Sequence, residues 1–351
     1  MRRFSVSQQE KHPSGHQGTA LLHFRNDISP SVGASQSTNA ALKSNSYKPG
    51  PRAFFTWISN CLFTLYLFTA NDFSSVLFPQ TLFALFSMLS KKFSLPSPHL
   101  EAQLSIYSRI FRVVLWIWLQ LLVLDLANQR LPDSVSEDTI NKPWRPITSG
   151  RITVENTRRL LLVSIGITFA VSHFLGATYE TLFLFTLNWM YNDLGLANSH
   201  WLMRNLMNAL GITSIGAGAT RVACGDLVFL IAPAARWWLL CAGMIMTTIH
   251  AQDLYDQQGD AVRRRSTVPL VHGDSMARCS VAAGVLFWSV VMPACFNLHF
   301  RDQWVSYVGP ILLGSLVTAR VLILREVSED KLTFKFWALW IVCIYSLPLA
   351  G

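Results

Sequence analysis

Three aspartates at helical spacing, Asp253, Asp256 and Asp260, close a long apolar run and are followed at once by Arg263, Arg264 and Arg265. Residues three or four apart share one face of a helix, so a helix continuing through this stretch projects the three carboxylates together. A row of like charges repels itself and becomes favourable only with cations. Hard oxygen ligands in this arrangement suit Mg2+, which also keeps contacts to water and to substrate phosphates. The arginines extend the argument, since guanidinium groups bind phosphate oxygens directly while a metal bridges carboxylate to phosphate. His250, just before the aspartates, reads as a polar cap or interface residue at a helix end.

A second polar segment, "NQRLPDSVSEDTINKPWRPITSGRIT" from Asn128 to Thr153, repeats the pattern. It offers Asn128, Gln129, Asp133, Glu137, Asp138 and Asn141, followed by Lys142, Arg145 and Arg151. Either segment alone is compatible with a solvated loop whose arginines anchor at lipid headgroups. Together they describe a Mg2+ and diphosphate site at a membrane surface, with an apolar substrate tail running down among helices.

The elements that must hold these segments are membrane helices. At 51% hydrophobic and 14% charged residues, 351 residues do not make an ordinary soluble domain. Apolar runs recur at about 54–90, 104–127, 159–176, 178–198, 203–223, 227–249, 280–300, 304–325 and 332–350. Asn71 and Asp72 divide the first run, which counts as one broken crossing because basic residues cluster both before it and in 128–159. The expectation is an all-α integral membrane bundle of about nine helices, with both acidic segments on the cytosolic side. Residues 1–52, rich in Ser, Gln, Asn, Gly and basic side chains, read as a disordered cytosolic tail, and 53–351 as the catalytic domain. Six cysteines without paired motifs argue against zinc sites and a disulfide framework. "SIGAGAT", Ser214 to Thr220, reads as a close-packing helix face, not a phosphate loop. The net charge of +9 sits in the tail and loops, so it speaks for membrane orientation and against nucleic acid binding. No protein partner is expected.

The two motifs resemble those of the UbiA superfamily of intramembrane prenyltransferases. "DQQGD", Asp256 to Asp260, fits the second motif, with "STVPLVHG", Ser266 to Gly273, downstream, and "NKPWRPITSGRIT", Asn141 to Thr153, resembles the continuation of the first. The combination with Asn128-Gln129 and "SVSED", Ser134 to Asp138, is most similar to fungal membrane-bound terpene cyclases of that superfamily. The resemblance implies Asn128, Asp133, Asp138, Asp253, Asp256 and Asp260 around Mg2+, and Asp133, Glu137, Asp138, Asp256 and Asp260 as the catalytic acids. Which of Glu137 and Asp138 reaches the metal is open at this point, since Glu137 lies four residues after Asp133 and Asp138 three before Asn141. Lys142, Arg145, Arg204 and Arg264 are the implied diphosphate ligands, with Tyr191 near Arg204. The implied substrate is farnesyl diphosphate, cyclised to a sesquiterpene at the endoplasmic reticulum membrane. Two alternatives stand beside it: a UbiA-type transferase that prenylates a phenolic or quinone-precursor acceptor, and a transporter, whose intramembrane carboxylates would more usually sit at the midplane.

Overall fold

The computed structural model describes residues 51–90, 105–225, 232–296, 298 and 300–350, and every regular element among them is helical. The expected tail falls almost wholly on residues 1–50, outside the described residues; the first helix opens at Pro51. In chain order the helices are α1 Pro51–Thr69, α2 Phe78–Leu89, α3 Ile106–Gln129, α4 Pro132–Asn141, α5 Val154–Phe174, α6 Thr178–Asn192, α7 Leu196–Ser199 and α8 Trp201–Cys224. They continue as α9 Ala232–Thr248, α10 Asp253–Val262, α11 Val268–His272, α12 Asp274–Cys295, α13 Phe300–Gln303, α14 Val305–Ile323 and α15 Val327–Tyr345.

Five stretches among the described residues are long and apolar enough to cross a membrane unaided: Phe54–Leu89, Ile106–Gln129, Asp274–Cys295, Val305–Ile323 and Val327–Ala350. The other expected crossings fall on helices α5, α6, α8 and α9. Of these, α6 and α9 have only 15 and 17 residues, and α5 and α8 carry charged and amide side chains. A hydropathy criterion alone therefore does not reach nine. The first run is one broken helix, as its charge bias suggests: α1 passes into α2 through a 3-10 turn at Ala70–Asp72 and a π turn at Phe73–Leu77.

Buried side chains form a large cluster around α9, α12, α14 and α15, including Trp237, Met244, Val285 and Trp340. A second cluster joins α2, α3 and α8 through Ala84, Trp116, Ile117 and Ala219. The small residues of Ser214 to Thr220 do pack closely, since a Cβ on Gly218 would lie 2.3 Å from the Trp116 ring. That contact lets α8 lie against α3, which brings Arg204 at one end of α8 toward the polar end of α3.

Two short helices outside the spans complete the site. Pro132 opens α4, and Asp133 stands in its first turn, where a negative charge complements the helix dipole. α10 follows α9 through the 3-10 turn Ile249–Gln252 and packs on α4.

Candidate active site

The expected common face on α10 is present. Asp253 and Asp260 are fully buried and Asp256 nearly so, and each has one carboxylate oxygen paired with a cation. Asp253 Oδ1 accepts from Arg204 at 2.9 and 3.2 Å, Asp256 Oδ2 from Lys142 at 3.2 Å and Asp260 Oδ1 from Arg265 at 2.9 Å. The second oxygen of each is buried without a partner. Burial pushes the Asp260 carboxyl up to about 6, against the pull of Arg204 and Arg265.

The first acidic segment is used differently. Glu137 is buried and engaged at both oxygens, accepting from Arg263 at 3.0 Å and from Arg265 at 2.9 Å. Burial acts to raise its carboxyl, and Arg265, Lys142 and Arg263 outweigh it to leave the group below its ordinary range. Asp138 receives the Arg145 guanidinium at 2.8 and 2.9 Å, and burial keeps its carboxyl above the ordinary range despite that partner. Asp133 is exposed in the first turn of α4, one turn before Glu137. Asn141 donates to the Asp256 carbonyl at 3.3 Å and ties α4 to α10.

A cavity of about 210 Å³ opens between these helices. Asn128, Glu137, Lys142, Arg145, Arg204, Asp256 and Arg265 line its polar end, and Val76, Leu121, Leu184, Met207 and Ile215 are among the residues lining its apolar part. Of the two adjacent acids left open by the sequence, Glu137 is the one at the cavity wall. Asp138 anchors Arg145 instead.

Arg264 requires a correction. It takes a left-handed backbone conformation, φ 56°, as α10 ends, and its side chain is exposed. The turn sends Arg263 and Arg265 inward on either side of it, and Arg265, bonded to Glu137, Asp260 and Asn198, takes the cavity position assigned to Arg264. Arg204 stands where expected, bonded to Asp253 and to the Tyr191 hydroxyl at 2.9 Å. His250 faces Ser280 at 2.7 Å, consistent with a polar interface residue. Asn71, Asp72 and Asp125 also line the cavity and were not picked out as site residues. The only sequence signal was the acidic interruption of two apolar runs.

Residues 101–340 match the UbiA prenyltransferase family. The chain belongs to that family. It is 29% identical to somaliensene A/B synthase of Streptomyces somaliensis over 291 residues, 82% of this chain and 90% of that protein. Fumagillin beta-trans-bergamotene synthase af520 of Aspergillus fumigatus is 32% identical, over 72% of this chain and 90% of its own length. Polyprenyl transferase eriF of Hericium erinaceus is 30% identical, over 82% of this chain and 94% of its own. A solved UbiA homolog from Archaeoglobus fulgidus bound to DMAPP and Mg2+ shares the fold, with TM-score 0.57, 13% identity, and coverage of 80% of this chain and 98% of that one. This UbiA protein is thus an all-α integral membrane enzyme of the kind that uses prenyl diphosphates.

Among the described residues no three acidic, histidine or cysteine side chains converge on a single metal position. The partnerless oxygens of Asp253, Asp256 and Asp260 nevertheless fit Mg2+, which commonly takes one or two carboxylates and fills its shell with water and phosphate oxygens.

Proposed function

We propose that this protein is a Mg2+-dependent terpene cyclase of the endoplasmic reticulum membrane, with its site toward the cytosol, that ionises farnesyl diphosphate and closes it to a sesquiterpene. Residues 53–351 carry the activity on this reading. The observation that carries it is the division of one cavity into a cationic end and an apolar part. Lys142, Arg145, Arg204 and Arg265 supply N–H donors for a diphosphate, and the leucine and isoleucine walls match a hydrocarbon tail. Partnerless oxygens among Asp253, Asp256 and Asp260 would hold Mg2+, which would supply Lewis-acid neutralisation of the departing diphosphate.

The chain's own groups then have separable tasks. Arg204, fixed by Asp253 and Tyr191, orients the diphosphate without rearranging, which is what makes a preorganised donor effective. Lys142 and Arg265 bind it from α4 and from the turn after α10. The apolar walls exclude water, so that the allylic cation meets its own double bonds first. The two synthases among the relatives, somaliensene A/B synthase and fumagillin beta-trans-bergamotene synthase, support cyclisation.

A transfer reaction is the second reading, favoured by the similarity to polyprenyl transferase eriF. The deciding experiment supplies membranes containing the protein with farnesyl diphosphate and Mg2+, with and without a hydroxybenzoate or homogentisate-like acceptor. Diphosphate release and a cyclic hydrocarbon without acceptor support cyclisation. Release only after acceptor is added, with the prenyl chain on the ring, refutes it.

A further inference from the structure

Within the first membrane-crossing helix the backbone leaves regular geometry only from Ala70 to Leu77. π turns inside helices recur at functional sites, and this one accompanies a carboxylate that a membrane helix would otherwise exclude at a cost of kilocalories. Asn71 and Asp72 line the cavity together with Asp125 of α3, and the Asp72 and Asp125 carboxyls are close enough to act on one another electrostatically.

The surroundings hold that pair in place. Asp125 is 4% exposed, and its Oδ1 accepts from Gln129 Nε2 at 3.2 Å. The same amide donates to the Phe68 carbonyl at 2.8 Å, which fixes its orientation from the far side. Asp125 Oδ2 has no hydrogen-bond partner, and Asp72 is only half-buried. Arg145 acts electrostatically on both carboxyls, and Asp72 acts in the same way on Tyr255. Val76, one turn after Asp72, and Leu121, one turn before Asp125, line the apolar part of the cavity. A carboxylate thus stands at the border between the cationic end and the apolar walls.

We propose that Asp72 is the base that ends the cyclisation, with Asp125 as its positioning partner; the assignment rests on the cyclase reading. Ionisation breaks the allylic C–O bond, and the electron pair leaves with diphosphate. Ring closure moves the positive charge onto a ring or side-chain carbon. A C–H bond next to that carbon then breaks, its electron pair forms the final C=C bond, and the proton passes to an Asp72 oxygen. Diphosphate, the co-product at the cavity mouth, accepts that proton as the products leave. The other cavity acids are poorly suited, because Glu137 is held at both oxygens by arginines and Asp256 is paired with Lys142.

The test uses the full chain in membranes with farnesyl diphosphate and Mg2+, measuring diphosphate and hydrocarbon in one reaction. Asp72→Asn lowers hydrocarbon formed per diphosphate released by about 10², the scale of general base catalysis, and a water-quenched alcohol replaces it; Asp72→Glu restores the ratio. Asp125→Asn moves it in the same direction and provides the result where the Asp72 variant fails to accumulate. An unchanged ratio in Asp72→Asn, or in Asp125→Asn if that is the only variant to accumulate, overturns the proposal. So does a loss of diphosphate release that excess Mg2+ recovers, since that would make Asp72 a metal ligand. A wild-type chain that forms no hydrocarbon without an acceptor refutes the cyclase reading itself, before any variant is compared.

Discussion

Gly259, inside the α10 acidic motif, sets how closely that helix approaches α4, and replacing it with alanine perturbs catalysis more than folding. A Cβ at this position would lie 2.2 Å from Asn141 Nδ2, 2.7 Å from Asn141 Cγ and 2.9 Å from Glu137 Cγ. Ordinary contact begins near 3.4 Å, so the helices must separate locally by about 1 Å or the two side chains must swing away. Neither side chain is free to swing, because Asn141 is bonded to the Asp256 carbonyl and Glu137 to Arg263 and Arg265. Overpacking of this kind costs about 1–3 kcal/mol, and the gain in helix propensity returns up to about 1 kcal/mol. The net loss of stability is therefore about 0–3 kcal/mol, small enough to leave the protein folded. A displacement of about 1 Å between Lys142 on the α4 side and Asp256 on α10 lowers kcat/KM by about 10². Thermal unfolding in detergent and diphosphate release from farnesyl diphosphate, measured on the same preparation, separate the two effects. Wild-type kcat/KM in Gly259→Ala, or a loss fully explained by unfolded protein, refutes the argument that α4 and α10 must hold this spacing.

Arg265→Ala removes the cation shared by Glu137 and Asp260 and leaves the buried Asp260 without its hydrogen-bonded cation, which costs about 3–5 kcal/mol. Arg264→Ala, an exposed change, stays within about 0.5 kcal/mol and near wild-type turnover; equal effects on stability and turnover in the two variants would refute the outward placement of Arg264. The Asp260 carboxyl is raised to about 6 by burial, so its contribution to stability is present at pH below its ordinary range and lost as pH rises through about 6. Asp260→Asn removes that dependence, and the melting temperature of the variant relative to wild type, taken in EDTA, is higher at pH 7.5 than at pH 5. A difference that does not change with pH refutes the raised carboxyl.

The fold class was legible because lipid leaves a chain few choices. Long apolar runs with satisfied backbone must be helices, and basic clusters before residue 54 and in 128–159 gave the first run a single crossing, with 104–127 as the return. The expected crossings at 159–176 and 203–223 fall on α5 and α8, which carry polar residues and are not among the spans by length and hydropathy. Arg204, Asn205 and Asn208 on α8 make the helix look less like a span, yet Arg204 and Asn208 line the cavity. A hydropathy sum counts such residues against the helix, whereas the packed bundle uses them.

In the site, the α10 aspartates were legible because one regular helix fixes their spacing, and spacing of three and four residues needs no knowledge of neighbours. Arg264 was misassigned for the complementary reason. α10 ends after Val262, and one left-handed residue reverses which of three consecutive arginines faces inward, a backbone choice that composition does not encode. Asp133 and Glu137 share one face of α4, but the bonds to α10 and the turn after it come from Asn141 and Glu137, further along the helix, while Asp138 holds Arg145. Gly259, whose missing Cβ admits Asn141 and Glu137 to close contact, sets where the two helices meet. Asp72 and Asp125 lay further from reach still. They are 53 positions apart in apolar stretches, and only the packing of the broken first helix against α3 makes them a pair.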